Sequence, residues 1–413
     1  MKRPHYRKLL LLGAGHGHLD LLKKLHRLTA RGVEVTVVSP EPVGLYSGML
    51  PGLLGATYGT EEVSLPVREI VEARGGTFIQ DTAVEIRSAS REVRLGSGQW
   101  LSFDALSVAT GSVVATEQLP RFEGGPEDDV FPVKPYANVE AAQKRVRELL
   151  HDGDVRSVVV GGGPAAVELA GNLARLARRA RGDGASGTLE IALVCGGAPL
   201  AQFPEGCRRK ALGDLAKNGV HLCRGPRAHA VRPGTVVLED GFEEQADVVI
   251  LAPGVKPPSL LAASDLPTAP DGGIVVDETM RAHTEVPVFA AGDSSHLASN
   301  PLARIGAHAL RGGKALSTNL IQLVRDGEIS RRARYSPTRS VFLALNLGDS
   351  RAAACFRGTS LFGRWVFTVK DLIDTSFVGN TKRSARGRRL AVPRIGSKSR
   401  RSARATRESV VAE

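Results

Sequence analysis

Residues 9–24 read LLLLGAGHGHLDLLKK. Four uninterrupted leucines suit a strand buried on both faces. The glycines after them open a turn, and leucines at 19, 22, 25 and 28 give the following helix one apolar face. Strand, glycine turn and helix in this order make a phosphate-binding unit, because a helix N-terminus carries unpaired N–H groups and a positive dipole end. Gly13 supplies the tight turn, Ala14 follows it, and Gly15 lets the backbone approach a pyrophosphate. The third glycine of this pattern lets helix and strand pack closely. His18 replaces it, with Gly17 beside it keeping the turn open. A ribose-binding acid would follow the next strand, VEVTVV; Ser39 fills that place, and Glu41 stands two residues on as a substitute.

The unit recurs. SVVVGGGPAAVELAGNLARLA (157–177) again gives strand, turn and helix, with Gly161 and Gly163 in the first two glycine roles and Ala166 in the third. Glu168 falls in the first turn of this helix, where a carboxylate either faces the bound nucleotide or simply favours the dipole. Each copy continues through a second strand (33–38 and 189–194) and short alternating segments that read as a meander. The first meander centres on 84–86, 93–95 and 101–103, and the second spans 220–238. Buried strands close the copies, in ALSVATG (105–111) and ADVVILAPG (246–254). After LEIALV comes Cys195 where an acid would select NADH; Arg208 and Arg209 downstream are candidates for a 2′-phosphate. A third piece, VPVFAAGDSS, ends in Gly292-Asp293, and a helix is expected over 303–324. The fold class is therefore α/β, with two tandem Rossmann-like dinucleotide-binding domains and a small α+β C-terminal segment.

The 413 residues carry a net charge of +12, concentrated at one end: residues 381–413 hold +9 and the first 380 only +3. The tail's composition of Arg, Ser, Gly and Ala cannot build a core. Four cysteines, at 195, 207, 223 and 355, form no CxxC pair, so neither a disulfide framework nor a zinc site is expected. His16 and His18 lack a carboxylate or cysteine cluster beside them, and no metal is expected. The basic, leucine-rich start resembles a signal peptide but runs into a glycine turn, which reads as a cytoplasmic protein. Trp365, Val369, Leu372 and Phe377 fall near one face of a helix expected to pack on the body. The tail beyond them suits peripheral contact with an anionic membrane on its inner face, or non-specific contact with nucleic acid.

Four motifs in order, GAGHGH, ATG at 109–111, GGGPAAVE at 161–168 and VFAAGD at 288–293, resemble the two-dinucleotide-domain flavoproteins of the pyridine nucleotide-disulfide oxidoreductase type. Within them the chain looks most like type II NADH dehydrogenases. YSGMLPGLLGATY (46–58), GRWVFTVKDLID (363–374) and the GHGH turn are closer still to relatives associated with selenide, water dikinase. The resemblance implies FAD in a first domain split over 1–115 and 266–330, NAD(P)H in a second over 116–265, a C-terminal segment at 331–378 and a basic disordered tail at 379–413. By position, Gly13, Ala14, Gly15, Gly17 and His18 would surround the FAD pyrophosphate, and Val84 would meet the adenine through its backbone. Thr110 and Gly111 would lie beside the cofactor, with Gly292 and Asp293 at its ribityl or phosphate hydroxyls. Gly161, Gly163 and Glu168 would face the nicotinamide nucleotide, with Glu168 as the catalytic candidate. The helix near Arg304–His308 would aim at the flavin pyrimidine edge. Type II NADH dehydrogenases typically carry Ala-Gln there beside the quinone; here the pair is Gly306 and Ala307. The implied function is hydride transfer from NAD(P)H to flavin and electron transfer onward to an acceptor such as a quinone. The alternatives are a reductase with a protein or small-molecule acceptor linked to selenium or sulfur metabolism, and a non-catalytic nucleotide-binding regulator.

Overall fold

The computed structural model describes residues 5–119, 121–337 and 342–386. The N-terminal part contributes β1 (Lys8–Leu12), β2 (Glu34–Ser39), β3 (Thr77–Gln80) and β4 (Ala105–Val108). The chain then crosses to β5 (Val130–Pro132), β6 (Val155–Val160), β7 (Leu189–Cys195), β8 (Val220–Arg224) and β9 (Val248–Leu251), and returns with β10 (Val288–Ala290). Two five-stranded, fully parallel sheets result, ordered β10-β4-β1-β2-β3 and β5-β9-β6-β7-β8. They are congruent: β1 and β6 hold the centre, each paired with its unit's second and last strands. The edge strands β10 and β5 fill equivalent places although one follows its unit and the other precedes it. At the crossings, Val113–Val114 and Val255–Lys256 pair antiparallel.

The central position of β1 explains its leucines, since Leu9–Leu12 are each at most 2% exposed. The leucines at 19, 22, 25 and 28 are buried too, but the continuous helix expected there is divided into α1 (Leu19–Leu22) and a second turn at His26–Thr29. The Lys24, Arg27 and Leu28 amides bond three residues back, to Leu21, Lys24 and Leu25. A spacing of strictly three keeps four side chains on one face only when the helix tightens to about three residues per turn.

A three-stranded meander lies beside the first sheet, over Ala83–Arg87, Glu92–Leu95 and Trp100–Ser102. The second unit's meander starts later than its sequence indicates. Val220–Arg224 is β8, the parallel counterpart of β3, and Ala228–Arg232, Thr235–Leu238 and Glu243–Gln245 make the antiparallel ribbon. Besides the helix Ala137–Asp152, which follows β5, the helices that bear on the site are α2 (Pro164–Gly182), α3 (Glu205–Lys217), α4 (Gly306–Asp326) and α5 (Arg364–Arg386). Helix α4 starts three residues later than the expected helix and ends at Gly327 in the left-handed region. The C-terminal piece pairs Leu343–Asn346, Ala352–Phe356 and Thr359–Gly363 antiparallel. Helix α5 runs on to Arg386, so the expected tail begins inside it; residues 387–413 lie outside the described residues.

Candidate nucleotide and flavin site

The GAGHGH turn is wedged between the ends of β4 and β10. A side chain on Gly13 (φ +84°) would strike the Ala109 carbonyl; one on Gly15 would stand 3.2 Å from the same oxygen, and one on Gly17 3.0 Å from the Ala291 carbonyl. Gly13 donates its N–H to Val38 O at 2.8 Å, tying the turn to β2. Among the described residues no protein acceptor takes the N–H of Ala14, Gly15, His16 or Gly17. That leaves a set of donors chemically suited to a pyrophosphate.

His18 corrects its sequence assignment. It is fully buried beneath the turn, not on its cofactor face. Nδ1 lies 2.6 Å from Gly13 O and Nε2 2.8 Å from Ser107 Oγ. Burial pulls its pKa down to about 4, against the Gly13 carbonyl. The neutral ring thus donates from Nδ1 to the carbonyl and accepts the Ser107 hydroxyl at Nε2. Close packing passes to Gly17, whose carbonyl a side chain on Gly313 of α4 would hit.

Around this turn the fold gathers Thr110, Gly111, Gly292, Asp293 and the start of α4. The buried Ser294 joins them: its Oγ lies 3.1 Å from Thr110 Oγ1 and accepts the Gly111 N–H at 3.0 Å. Asp293 Oδ2 accepts the Ser112 hydroxyl at 2.5 Å and pairs with Lys134 Nζ at 3.2 Å. Its Oδ1 takes no donor among the described residues, as a carboxylate waiting for ligand hydroxyls would not. Lys134 arrives from the far end of β5, and a lone Lys before Pro gave no sequence signal. His16 lies 3.2 Å from Ser47 Oγ and stacks on Tyr46, with centroids 5.3 Å apart. Burial drives its pKa down to about 4, with Asp293 opposing and Lys134 adding. Gly306, first residue of α4, stands against both, since a side chain there would approach Ser47 Oγ at 3.4 Å and His16 Cδ2 at 3.8 Å. Ala307 follows in the same turn. Glu41 is exposed just past β2, and Val84 is exposed on its meander strand, at a bulge.

The second turn repeats the first. Gly161 donates to Val194 O at 2.9 Å as Gly13 does to Val38, and the Gly162 and Gly163 N–H groups find no protein acceptor among the described residues. Glu168 lies in the second turn of α2, not the first, which carries no acid and so no dipole partner. Its Oε1 accepts the Asn346 N–H of the C-terminal sheet at 2.7 Å. Burial pushes its pKa up to about 7; Lys370 and the Asn346 N–H oppose this and Asp374 adds to it. A side chain on Gly171 would collide with the Leu347 carbonyl, so this glycine lets the C-terminal sheet reach Glu168. Behind stand Lys370 and Asp374 of α5, 2.6 Å apart, with Lys370 also donating to Gly48 O at 2.6 Å and Tyr46 OH to Asp374 at 3.1 Å. The members sit in three separate stretches, around 46–48, 168–171 and 346–374, and nothing in the sequence says that these meet.

Arg208 and Arg209 stand on α3. The arginine that crosses the end of β7 is Arg227, whose stem occupies the space where Gly196 would carry a side chain.

Helix α5 overturns the expected packing. Trp365, Val369 and Leu372, joined by Ile373, point outward at 55, 42, 66 and 52% exposure. Val366, Phe367 and Val378 face the body instead, and Phe377 packs on Tyr46 with centroids 5.0 Å apart.

A sequence model of the pyridine nucleotide-disulphide oxidoreductase family matches residues 7–311. The chain belongs to that family. It is 27% identical over 321 residues to the internal alternative NAD(P)H-ubiquinone oxidoreductase A1, mitochondrial, of Arabidopsis thaliana, covering 70% of this chain and 61% of the relative. It is 25% identical to the demethylphylloquinone reductase NdbB of Synechocystis, over 70% of this chain and 72% of that one. The chain thus spans less than two thirds of the first of these relatives. In structure, this family member resembles NDH2 from Plasmodium falciparum in complex with NADH, with a TM-score of 0.79 at 14% identity over 92% of this chain and 96% of the other.

Proposed function

We propose that this chain is an FAD-dependent NAD(P)H oxidoreductase that passes electrons to a quinone at a membrane surface. The pair of congruent parallel sheets, each ending in a glycine turn with unpaired N–H groups, carries the reading. FAD, when bound, supplies acceptance of a hydride and its onward release as electrons. The protein's part is binding, orientation and charge. The Gly13–Gly17 turn receives the FAD pyrophosphate, Asp293 the ribityl hydroxyls, and the Gly161–Gly163 turn the nicotinamide nucleotide. The N-terminus of α4 favours negative charge on the pyrimidine edge.

Glu168, its pKa pushed up to about 7 by burial, can hold or release a proton in the working range; Lys370 and the Asn346 N–H pull that value down and Asp374 pushes it up. The quinone reading draws on the names of the ubiquinone and demethylphylloquinone relatives. Membrane contact draws on the outward apolar row of α5. Among the described residues no helix is long and apolar enough to cross a membrane, so contact would be peripheral. The likeness to relatives associated with selenide, water dikinase adds no acceptor to this reading.

Steady-state oxidation of NAD(P)H by FAD-loaded protein tests the proposal. A rate that depends on added menadione supports it. FAD-loaded protein that oxidises neither nucleotide with any quinone defeats the proposal; flavin reduction by either nucleotide without quinone turnover would leave a reductase with another acceptor, and no reduction a binding protein.

A further inference from the structure

We infer that the nicotinamide nucleotide this chain is built to take is NADPH, with its 2′-phosphate paired to the Arg227 guanidinium at the end of β7. The inference deepens the oxidoreductase reading and rests on it for the identity of the ligand class.

In a unit of this topology the adenosine ribose lies between the glycine turn and the end of the next strand, where a carboxylate accepts its 2′-hydroxyl. Here β7 ends in Cys195, followed by Gly196 and Gly197. The turn and the strand end do meet: a side chain on Gly162 would stand 3.3 Å from Cys195 Cβ and 3.7 Å from Pro199 Cα. None of residues 195–199 carries a carboxylate that could hold the hydroxyl of NADH or repel a 2′-phosphate of charge roughly −2.

Arg227 fills the vacated place from a distant part of the chain. It follows β8 and leads into the antiparallel ribbon. Its aliphatic stem lies across Gly196, and any side chain at 196 would displace it. The glycine is therefore what admits the arginine. The Arg227 side chain is exposed, and none of the ion pairs among the described residues involves it. The nearest acid, Glu239, accepts the Arg227 backbone N–H at 3.2 Å. The guanidinium keeps its fork of donors for a ligand, and that fork matches the oxygens of a phosphate.

The test uses FAD-loaded full-length protein. Calorimetry compares 2′,5′-ADP with 5′-ADP, and initial rates compare NADPH with NADH. The inference expects tighter 2′,5′-ADP binding and a higher kcat/KM for NADPH, each by about tenfold to a hundredfold. Arg227→Ala should remove most of that difference by lowering 2′,5′-ADP affinity and NADPH kcat/KM far more than NADH kcat/KM, with flavin content preserved, while Arg227→Lys should restore part of it. A wild-type preference for NADH, or an equal loss toward both nucleotides in Arg227→Ala, overturns the inference. If neither nucleotide is oxidised, the oxidoreductase reading fails by itself. The calorimetry then still decides this one, because equal affinity for 2′,5′-ADP and 5′-ADP overturns it.

Discussion

His18 shows how one residue can replace a glycine without ending phosphate binding. A third glycine would leave space under the turn; the imidazole fills it and ties Gly13 to Ser107. His18→Ala should therefore lower stability by about 2–4 kcal/mol, because it leaves a cavity and a buried Ser107 hydroxyl without its acceptor. Denaturant melts read this directly, and His18→Gly should be no better. Glu168 contributes to stability with the pH dependence opposite to that of a carboxylate whose pKa the fold lowers. Its folded pKa of about 7 lies above the usual value of 4.5, so the folded state binds more protons between those limits. Its contribution to stability is complete below pH 4.5 and is lost as pH rises through 7. Glu168→Gln keeps the neutral form, so its melting temperature should gain on the wild type as pH goes from 5 to 8. Its FAD content should stay normal while flavin reduction slows. A melting difference that does not change with pH would show that Glu168 is not held near neutral. The identity of these residues was legible because each sits in a glycine motif, but their surroundings were not. Ser107 and Asn346, which set the two environments, are 89 and 178 residues away.

At the scale of elements, the strands that lie between two neighbours were readable and the edges less so. Continuous apolar runs in β1 and β6 can be satisfied only by burial on both faces, and both prove central. VHLCR, at the edge, alternates as a meander strand does, and only its parallel pairing with β7 distinguishes it. Helix α5 misled for a related reason. Its length carries apolar side chains on two faces, and periodicity alone does not say which one meets the body. The Lys370–Asp374 pair decides it by turning the opposite face to solvent. Substituting Leu372→Asp and Ile373→Asp together should leave the fold and soluble-acceptor activity intact. It should weaken binding to vesicles of mixed phosphatidylglycerol and phosphatidylcholine by about 2–4 kcal/mol. Co-sedimentation that is unchanged by the pair would remove α5 from the membrane contact.

Over the whole molecule, the C-terminal piece straps the two nucleotide-binding units together. Its sheet reaches Glu168 and Asn172 on α2, while α5 holds Tyr46 and Gly48 beside the first glycine turn. The strap thus connects the two turns through groups that also bury Glu168 and adjust its pKa. Lys370→Met removes the cation that holds that value down, so the pH profile of flavin reduction should move upward, with FAD content preserved. A profile that stays in place would separate the strap from the chemistry. The measurement that bears most directly on the account is an anaerobic titration of the purified, FAD-loaded protein with NADPH. One nucleotide per bound FAD should bleach the visible flavin band completely, and an added quinone should restore it. A protein that cannot be loaded with FAD, or one whose flavin stays oxidised under excess NADPH and NADH alike, would contradict the account.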